Sequence, residues 1–185
     1  MMPSVSRQFS VRICSQRDTD LTTLQQISQQ TFLETFADVN SPENMSRYLT
    51  ENMSVDKLRT ELSNEDSTFC FLEADTNVIG YLKINIGSAE TENKYERSLE
   101  IERIYVLGSY QGQGTGKILL DHALEMARSM HAEFVWLGVW EHNHRAIGFY
   151  RKHGFVEFSR HVFRLGDDEQ IDILMRISLH PDPAG

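Results

Sequence analysis

The stretch Tyr110–Ala127, YQGQGTGKILLDHALEMA, decides how the rest of the chain is read. Gly112, Gly114 and Gly116 alternate, and the sequence then passes directly into a helical apolar rhythm carried by Leu119, Leu120, Ala123 and Leu124. Glycines at this density before a helix let a ligand approach the backbone without meeting Cβ atoms. The N–H groups of such a loop and of the first helical turn converge on an anion, and the helix dipole adds attraction. Two common nucleotide cradles fail on specific residues. A P-loop requires glycine where Gln111 stands and a hydroxyl where Ile118 stands. In a dinucleotide fingerprint the third glycine would come one residue later than Gly116. The pattern that fits is [QR]-x-x-G-x-[GA] between a strand and a helix, with Gln111, Gly114 and Gly116.

Working outward, SLEIERIYV (98–106) reads as the strand that enters the loop, and EFVWLGVWE (133–141) as a buried strand after the helix. Asn143 caps the next helix, HRAIGFYRKH, which ends at Gly154. FVEFSRHVFRL, the turn GDDE and QIDILMRISL form a closing hairpin. Upstream, FSVRICS is a first strand. A helix capped by Asp18 or Asp20 follows, through Leu21, Leu24, Ile27 and Phe32. Ser41 with Pro42 opens a second helix and Ser54 a third. STFCFLEA and VIGYLKINI flank a polar DTN turn and predict a hairpin. One domain over 1–185 is expected, with an ordered core over 9–180 and a tail over 181–185. The element order predicts an α/β fold around a mixed sheet.

The net charge of −9 argues against a nucleic-acid surface and suits a cationic partner. Two cysteines, Cys14 and Cys70, make no disulfide framework. The amino-terminal segment has no apolar signal region and no stretch approaches membrane-spanning length, so a cytoplasmic protein without membrane partners is expected. His142 and His144 are a weak ligand pair with no third partner, and no metal is expected.

The succession LEIERIYV, QGQGTGK and FVWLGVWEHNHRAIGFYRKHGF resembles the GNAT N-acetyltransferase family, from about Phe69 to Leu179. NSPENM, LEIERIY, WLGVWE and GDDEQ are more narrowly similar to PaiA-type spermidine/spermine N-acetyltransferases. The resemblance implies a single GNAT-like domain: a twisted, mostly antiparallel sheet of about seven strands with helices on both faces. It implies acetyl-CoA as cofactor and CoA as product. It also implies transfer, by direct attack within a ternary complex, to a primary amine of a polycationic small molecule such as spermidine or spermine. A protein or peptide amine, another small amine, or an acetyl-CoA-binding regulatory module remain alternatives. Tyr150 together with Glu100 favours an enzyme. Oligomeric state is left open, a homodimer included.

By the same resemblance the two strands diverge, and the backbone of Ile104, Tyr105 and Val106 receives the pantetheine arm, with an N–H near Ile104 polarising the thioester carbonyl. Gln111, Gly112, Gln113, Gly114, Thr115, Gly116 and Lys117 take the pyrophosphate, and bulk at Gly114 or Gly116 is not expected to be tolerated. Asn143 touches the CoA chain and Tyr150 acts as proton donor to the thiolate. An ammonium near pKa 10.4 must lose a proton before attack, which calls for a base. Glu100 aligns with the family's glutamate, and Glu102 shares its strand face. Acidic candidates for the acceptor are Glu34, Asp38, Glu90, Glu92, Asp167, Asp168 and Glu169. Trp136 and Trp140 read as core.

Overall fold

A computed structural model of the protein describes residues 7–92, 95–165 and 168–179. The expected tail at 181–185 and the first two residues of the GDDE turn lie outside these residues, as does the last residue of the expected 9–180 core. Among the described residues seven strands form one sheet, in the order β1-β2-β3-β4-β5-β7-β6. They are β1 (Phe9–Ile13), β2 (Ser67–Ala74), β3 (Asn77–Asn85), β4 (Ser98–Val106), β5 (Phe134–Trp140), β6 (Val156–Leu165) and β7 (Asp168–Ser178). Every neighbouring pair is antiparallel except β4 with β5.

Five helices cover the sheet: α1 (Asp18–Phe36), α2 (Pro42–Asn52), α3 (Val55–Leu62), α4 (Thr115–Ser129) and α5 (His144–Lys152). Strand alternation sorts them onto two faces. Cys70, Leu72, Val135, Leu137 and Val139 pack with Leu119, Leu120, Ala123 and Ile147, so α4 and α5 cover one face. Phe69, Phe71 and Tyr81 point the other way and pack with Leu21, Leu24, Ile27 and Leu58 of α1 and α3. Phe32 continues that helical stripe into a third cluster with Met45 and Met53.

Local chemistry explains the helix starts. Ser41 Oγ accepts from the Asn44 N–H at 3.1 Å and Ser54 Oγ from the Lys57 N–H at 3.3 Å, so both expected caps form. The start of α1 differs from expectation. Arg17 occupies the cap position and makes no side-chain cap bond. Asp20 instead accepts the Ser15 N–H at 2.8 Å and pairs with Arg12 at 2.9 Å, tying α1 to β1.

Two irregularities in β4 shape the molecule's centre. Against β3, the register steps from Lys83↔Arg103 to Ile84↔Ile101, which leaves Glu102 as an extra residue in a β-bulge. Against β5, pairing is confined to Ser98↔Phe134, Leu99↔Val135 and Glu100↔Trp136. Beyond Glu100 the two parallel strands separate.

Candidate active site

The separation of β4 and β5 opens a cavity of about 830 Å³ that reaches both faces of the sheet. One side of the gap is the unpaired edge of β4 from Ile101 to Val106, and the other is Gly138 to Trp140 of β5. A backbone edge with free N–H and C=O groups must find hydrogen-bond partners, and an extended amide-bearing ligand can supply them as an added strand. Ile104, Tyr105 and Val106 line this edge. Gly80 of β3 holds the strand there from behind: a Cβ built on it would lie 2.6 Å from the Tyr105 carbonyl oxygen, so no other residue fits without moving β4.

At one mouth of the gap lies the glycine loop. Gly112 and Gly114 adopt φ of +79° and +81°, in the left-handed region that favours glycine. Nothing lies within 4 Å of where their Cβ atoms would stand. Among the described residues, the N–H groups of residues 112–116 donate to no protein group. A row of free donors at the start of a fifteen-residue helix, with open space before it, fits a pyrophosphate. Not every loop residue faces that space. The Gln111 amide turns inward, donating to the Val106 carbonyl at 2.9 Å and accepting from Arg145 at 2.6 Å. The Gln113 amide donates to the Ser109 carbonyl and the Thr115 hydroxyl to the Tyr110 carbonyl. These three side chains shape the loop. Lys117 pairs with Asp121 at 2.5 Å and is exposed beside it. A Cβ on Gly116 would meet only Phe149, at 3.7 Å, an ordinary contact, so nothing in the protein itself excludes alanine there.

At the point where the strands part, Glu100 and Glu102 share the Asn85 amide, which donates to the two carboxylates at 3.0 and 2.6 Å. Their surroundings differ in charge. Glu102 Oε2 lies 2.6 Å from Lys83 Nζ, and Glu102 Oε1 lies 3.2 Å from the Arg103 guanidinium. Glu61 completes a buried quartet of two cations and two anions. Burial pushes the Glu102 pKa upward, but Arg103, Lys83 and the hydrogen bonds outweigh it and hold it below the usual value. Glu100 is 3% exposed and meets only neutral donors: the Asn85 amide, the Thr91 N–H at 2.8 Å and the Thr91 hydroxyl. Burial dominates there and raises its pKa.

Tyr150 lies on α5 beside Phe149 and Phe155 and is 7% exposed, yet it lines the cavity. Its ring packs in the core while the residue also lines the cavity; the buried hydroxyl without a partner among the described residues is that of Tyr81. Burial raises its pKa, which keeps the phenol protonated. Asn143 caps α5 by accepting the Ala146 N–H at 3.1 Å and also lines the cavity.

The opposite end of the cavity is walled by rings. Phe32 stacks on Tyr48 with centroids 4.4 Å apart, and Phe36 meets Trp140 at 6.2 Å. Trp136 is core as expected, its Nε1–H donated to Glu90 at 2.6 Å, but Trp140 is only half-buried and faces the cavity. Of the acidic candidates, Glu90 is structural, holding Ser98 and Trp136, while Glu34 accepts the Gly108 N–H at 2.8 Å. Glu92 pairs with His161 at 2.7 Å and both line the cavity. Asp38 is exposed, Glu169 pairs with Arg164, and Asp167 lies outside the described residues. Sequence reasoning missed Asp172. It stands in β7 opposite Trp140 and lines the cavity, and its carboxylate makes no hydrogen bond or ion pair among the described residues, with His161 as the nearby charge. Burial pushes its pKa up to about 6. His142 and His144 stand edge-on at 6.4 Å, and no cluster of three metal-ligating side chains occurs among the described residues.

A mixed sheet split by two diverging parallel strands, with a glycine cradle at one mouth, defines an acyltransferase that takes its acyl group from coenzyme A. The model of the acetyltransferase (GNAT) family matches residues 24–155, and the chain belongs to that family. It is similar to an uncharacterized N-acetyltransferase of Lactobacillus delbrueckii subsp. lactis, with 43% identity over 169 residues, 91% of this chain and 98% of the relative. It is also similar to a spermidine N(1)-acetyltransferase of Thermoplasma acidophilum, with 29% identity over 74% of this chain and 82% of the relative. Its fold matches the crystal structure of the PaiA N-acetyltransferase of that organism in complex with coenzyme A. There the TM-score is 0.76 and the identity 25%, covering 92% of this chain and 99% of that one. The protein is an N-acetyltransferase that uses acetyl-CoA. Among the described residues no helix is long and apolar enough to cross a membrane.

Proposed function

We propose that the acceptor is a polyamine of the spermidine and spermine type, with Glu100 receiving the proton of the attacking amine and Tyr150 supplying one to the departing sulfur. The observation that carries this reading is the pairing of anionic and aromatic groups across the acceptor end of the cavity. Carboxylates and ring faces both attract ammonium groups held away from bulk water. The spermidine acetyltransferase similar to this chain supports the same acceptor class.

Acetyl-CoA supplies an activated thioester. The free N–H groups of residues 112–116 hold its pyrophosphate, and the open edge at Ile104, Tyr105 and Val106 orients the arm toward the split beside Glu100. Between the two glutamates, the charge environment favours Glu100. Protonating Glu102 would leave Lys83 and Arg103 as buried cations with Glu61 alone to offset them. Glu100 can gain a proton without unbalancing any ion pair. Its raised pKa brings it closer to the operating range of a general base. The Tyr150 ring is buried, and its hydroxyl is protonated and lines the cavity, which suits a donor to a sulfur whose free thiol has a pKa of about 8.5.

The test is CoA release on mixing the protein with acetyl-CoA and a panel of amines: spermidine, spermine, simple alkylamines, and peptides with free amino termini. Release with the polyamines above the others supports the reading. Release confined to peptides would assign the acceptor to the protein-amine class.

A further inference from the structure

Asp172 is a carboxylate placed at some cost in a cavity and then left unpaired. Its nearest elements explain how it is held. Across β5 it sits opposite Trp140, and across β6 opposite His161. Gly138 gives it room: a Cβ on Gly138 would lie 3.4 Å from Asp172 Oδ2. The carboxylate therefore leans along β5 from the Trp140 row to the Gly138 row. His161 is the facing base, and its Nδ1 is occupied by Glu92 at 2.7 Å. Tyr48, Phe36 and Trp140 line the same end of the cavity. A half-buried carboxylate that faces only a histidine already bonded to Glu92, with ring faces beside it, matches the chemistry of an alkylammonium group.

The strand register gives the part of its separation from the transfer point that runs along the strands. Glu100 is paired with Trp136, and Gly138 is two residues further along the same strand. Two residues of strand span about 6.6 Å. Two nitrogens joined by three or four methylenes, at bond lengths like those of the backbone, are about 5–6 Å apart when extended.

We infer that Asp172, leaning over Gly138 within the Trp140–Phe36–Tyr48 wall, is a second ammonium subsite that selects acceptors bearing a second positive nitrogen a short methylene chain away from the reacting one. The inference rests on the proposed polyamine reading and sharpens it. The reacting amine goes to the strand split, and the remote amine, which never reacts, goes to Asp172. Binding energy from that remote nitrogen fixes the position of the reacting one. Asp172 is a specificity-determining residue and takes no part in proton transfer.

The experiment measures kcat and KM for α,ω-diamines from ethylenediamine to 1,8-diaminooctane, and for the matching monoamines, with the unaltered enzyme and with Asp172→Asn, Asp172→Glu and Gly138→Val. The expected result is an optimum at three to four methylenes and a diamine preference over monoamines of about tenfold or more, the scale of one half-buried charge pair. Asp172→Asn removes most of that preference, chiefly through KM, and Asp172→Glu restores part of it with a changed length optimum. Gly138→Val fills the floor beneath the carboxylate and raises KM for diamines by more than it raises KM for the matching monoamines. A flat chain-length profile, or equal losses for monoamines and diamines in Asp172→Asn, overturns the subsite while leaving the acetyltransferase assignment standing. Turnover with peptides alone overturns the polyamine reading itself.

Discussion

Lys83 Nζ lies 2.6 Å from Glu102 Oε2, and the Lys83 side chain is buried beneath the sheet's central bulge. This contact separates Glu100, which aligns with the family's glutamate, from Glu102, the second candidate on the strand. Glu102 is committed to a balanced charge quartet, while its neighbour on the same strand face is not. Removing one member of such a buried set leaves an uncompensated charge and costs about 3–5 kcal/mol. Glu102→Ala is therefore expected to lower the urea midpoint strongly, and Lys83→Met with Glu102 intact to do the same. A midpoint within experimental error of the parent in either variant would contradict this assignment.

Glu100→Gln tests the base without disturbing the fold. The amide oxygen can accept from the Thr91 N–H and from Asn85 as Oε2 does, and the amide NH2 can donate to the Thr91 hydroxyl. Every contact is kept and only the proton affinity is lost. Thermal stability should be close to the parent's, while kcat/KM falls by about 10²–10⁴. A smaller loss than tenfold would assign proton removal to water or to another group.

The same residue fixes a pH dependence. Glu100 must be ionised to accept a proton, and burial raises its pKa above the ordinary glutamate value of about 4.3. As pH falls through the raised value the carboxylate protonates and kcat/KM drops, so the acid limb should lie above the ordinary glutamate range. Glu100→Gln should flatten that limb. A limb unchanged in the variant would trace it to a different group.

Tyr150→Phe removes a hydroxyl and keeps the ring that packs in the core, so stability should change little. Turnover is expected to fall by about 10²-fold or more, with the dissociation constant of CoA within about twofold, since a ring in contact with Phe149 and Phe155 is retained. Equal losses in kcat and CoA affinity would make Tyr150 a packing residue.

The glycine loop separates a backbone requirement from a ligand requirement. Gly114→Ala forces an L-residue to φ near +81° at a cost of about 1–2 kcal/mol, and should weaken acetyl-CoA binding by about tenfold as the loop shifts. Gly116→Ala meets only an ordinary contact with Phe149. Its stability should equal the parent's, so any rise in KM for acetyl-CoA reports crowding of the pyrophosphate alone. Isothermal titration with CoA alongside thermal melts distinguishes the two.

What could be read in the sequence follows from where its information is local. Glycine spacing, serine caps and strand alternation depend on residues a few positions apart, and the loop, α2, α3, α5 and all seven strands follow from them. The charge quartet around Glu102 is hidden in the sequence because Lys83 reaches Glu102 through the β3 register and Glu61 reaches the two cations from α3. The spacing places Gln111 in the pyrophosphate loop, while the turn of its amide toward Val106 depends on the curl of the loop. Asp172 was invisible for a related reason. In QIDILMRI a polar residue alternating with apolar ones looks like the solvent face of a strand. Here that face meets the cavity, because α1 and α2 close over it.

Asp172→Asn should also stabilise the protein while impairing its acceptor selectivity. Burial raises the Asp172 pKa from 3.8 to about 6, so between those values the folded state holds a proton that the unfolded state has released. Stability from this group is complete below the unfolded value and declines as pH rises through the folded one, leaving the ionised carboxylate as a burden at neutral pH. An uncharged isostere removes that burden. With partial solvent screening in the cavity mouth the gain is of the order of 1 kcal/mol, which corresponds to about 2–4 °C in Tm for a chain of this size. The gain should be present at pH 7.5 and vanish near pH 4, where the parent residue is itself protonated in the folded state. A Tm difference that does not depend on pH would mean that Asp172 is not the strained, unpaired anion its surroundings describe. A residue that lowers stability at working pH and raises affinity for a second ammonium is retained for binding.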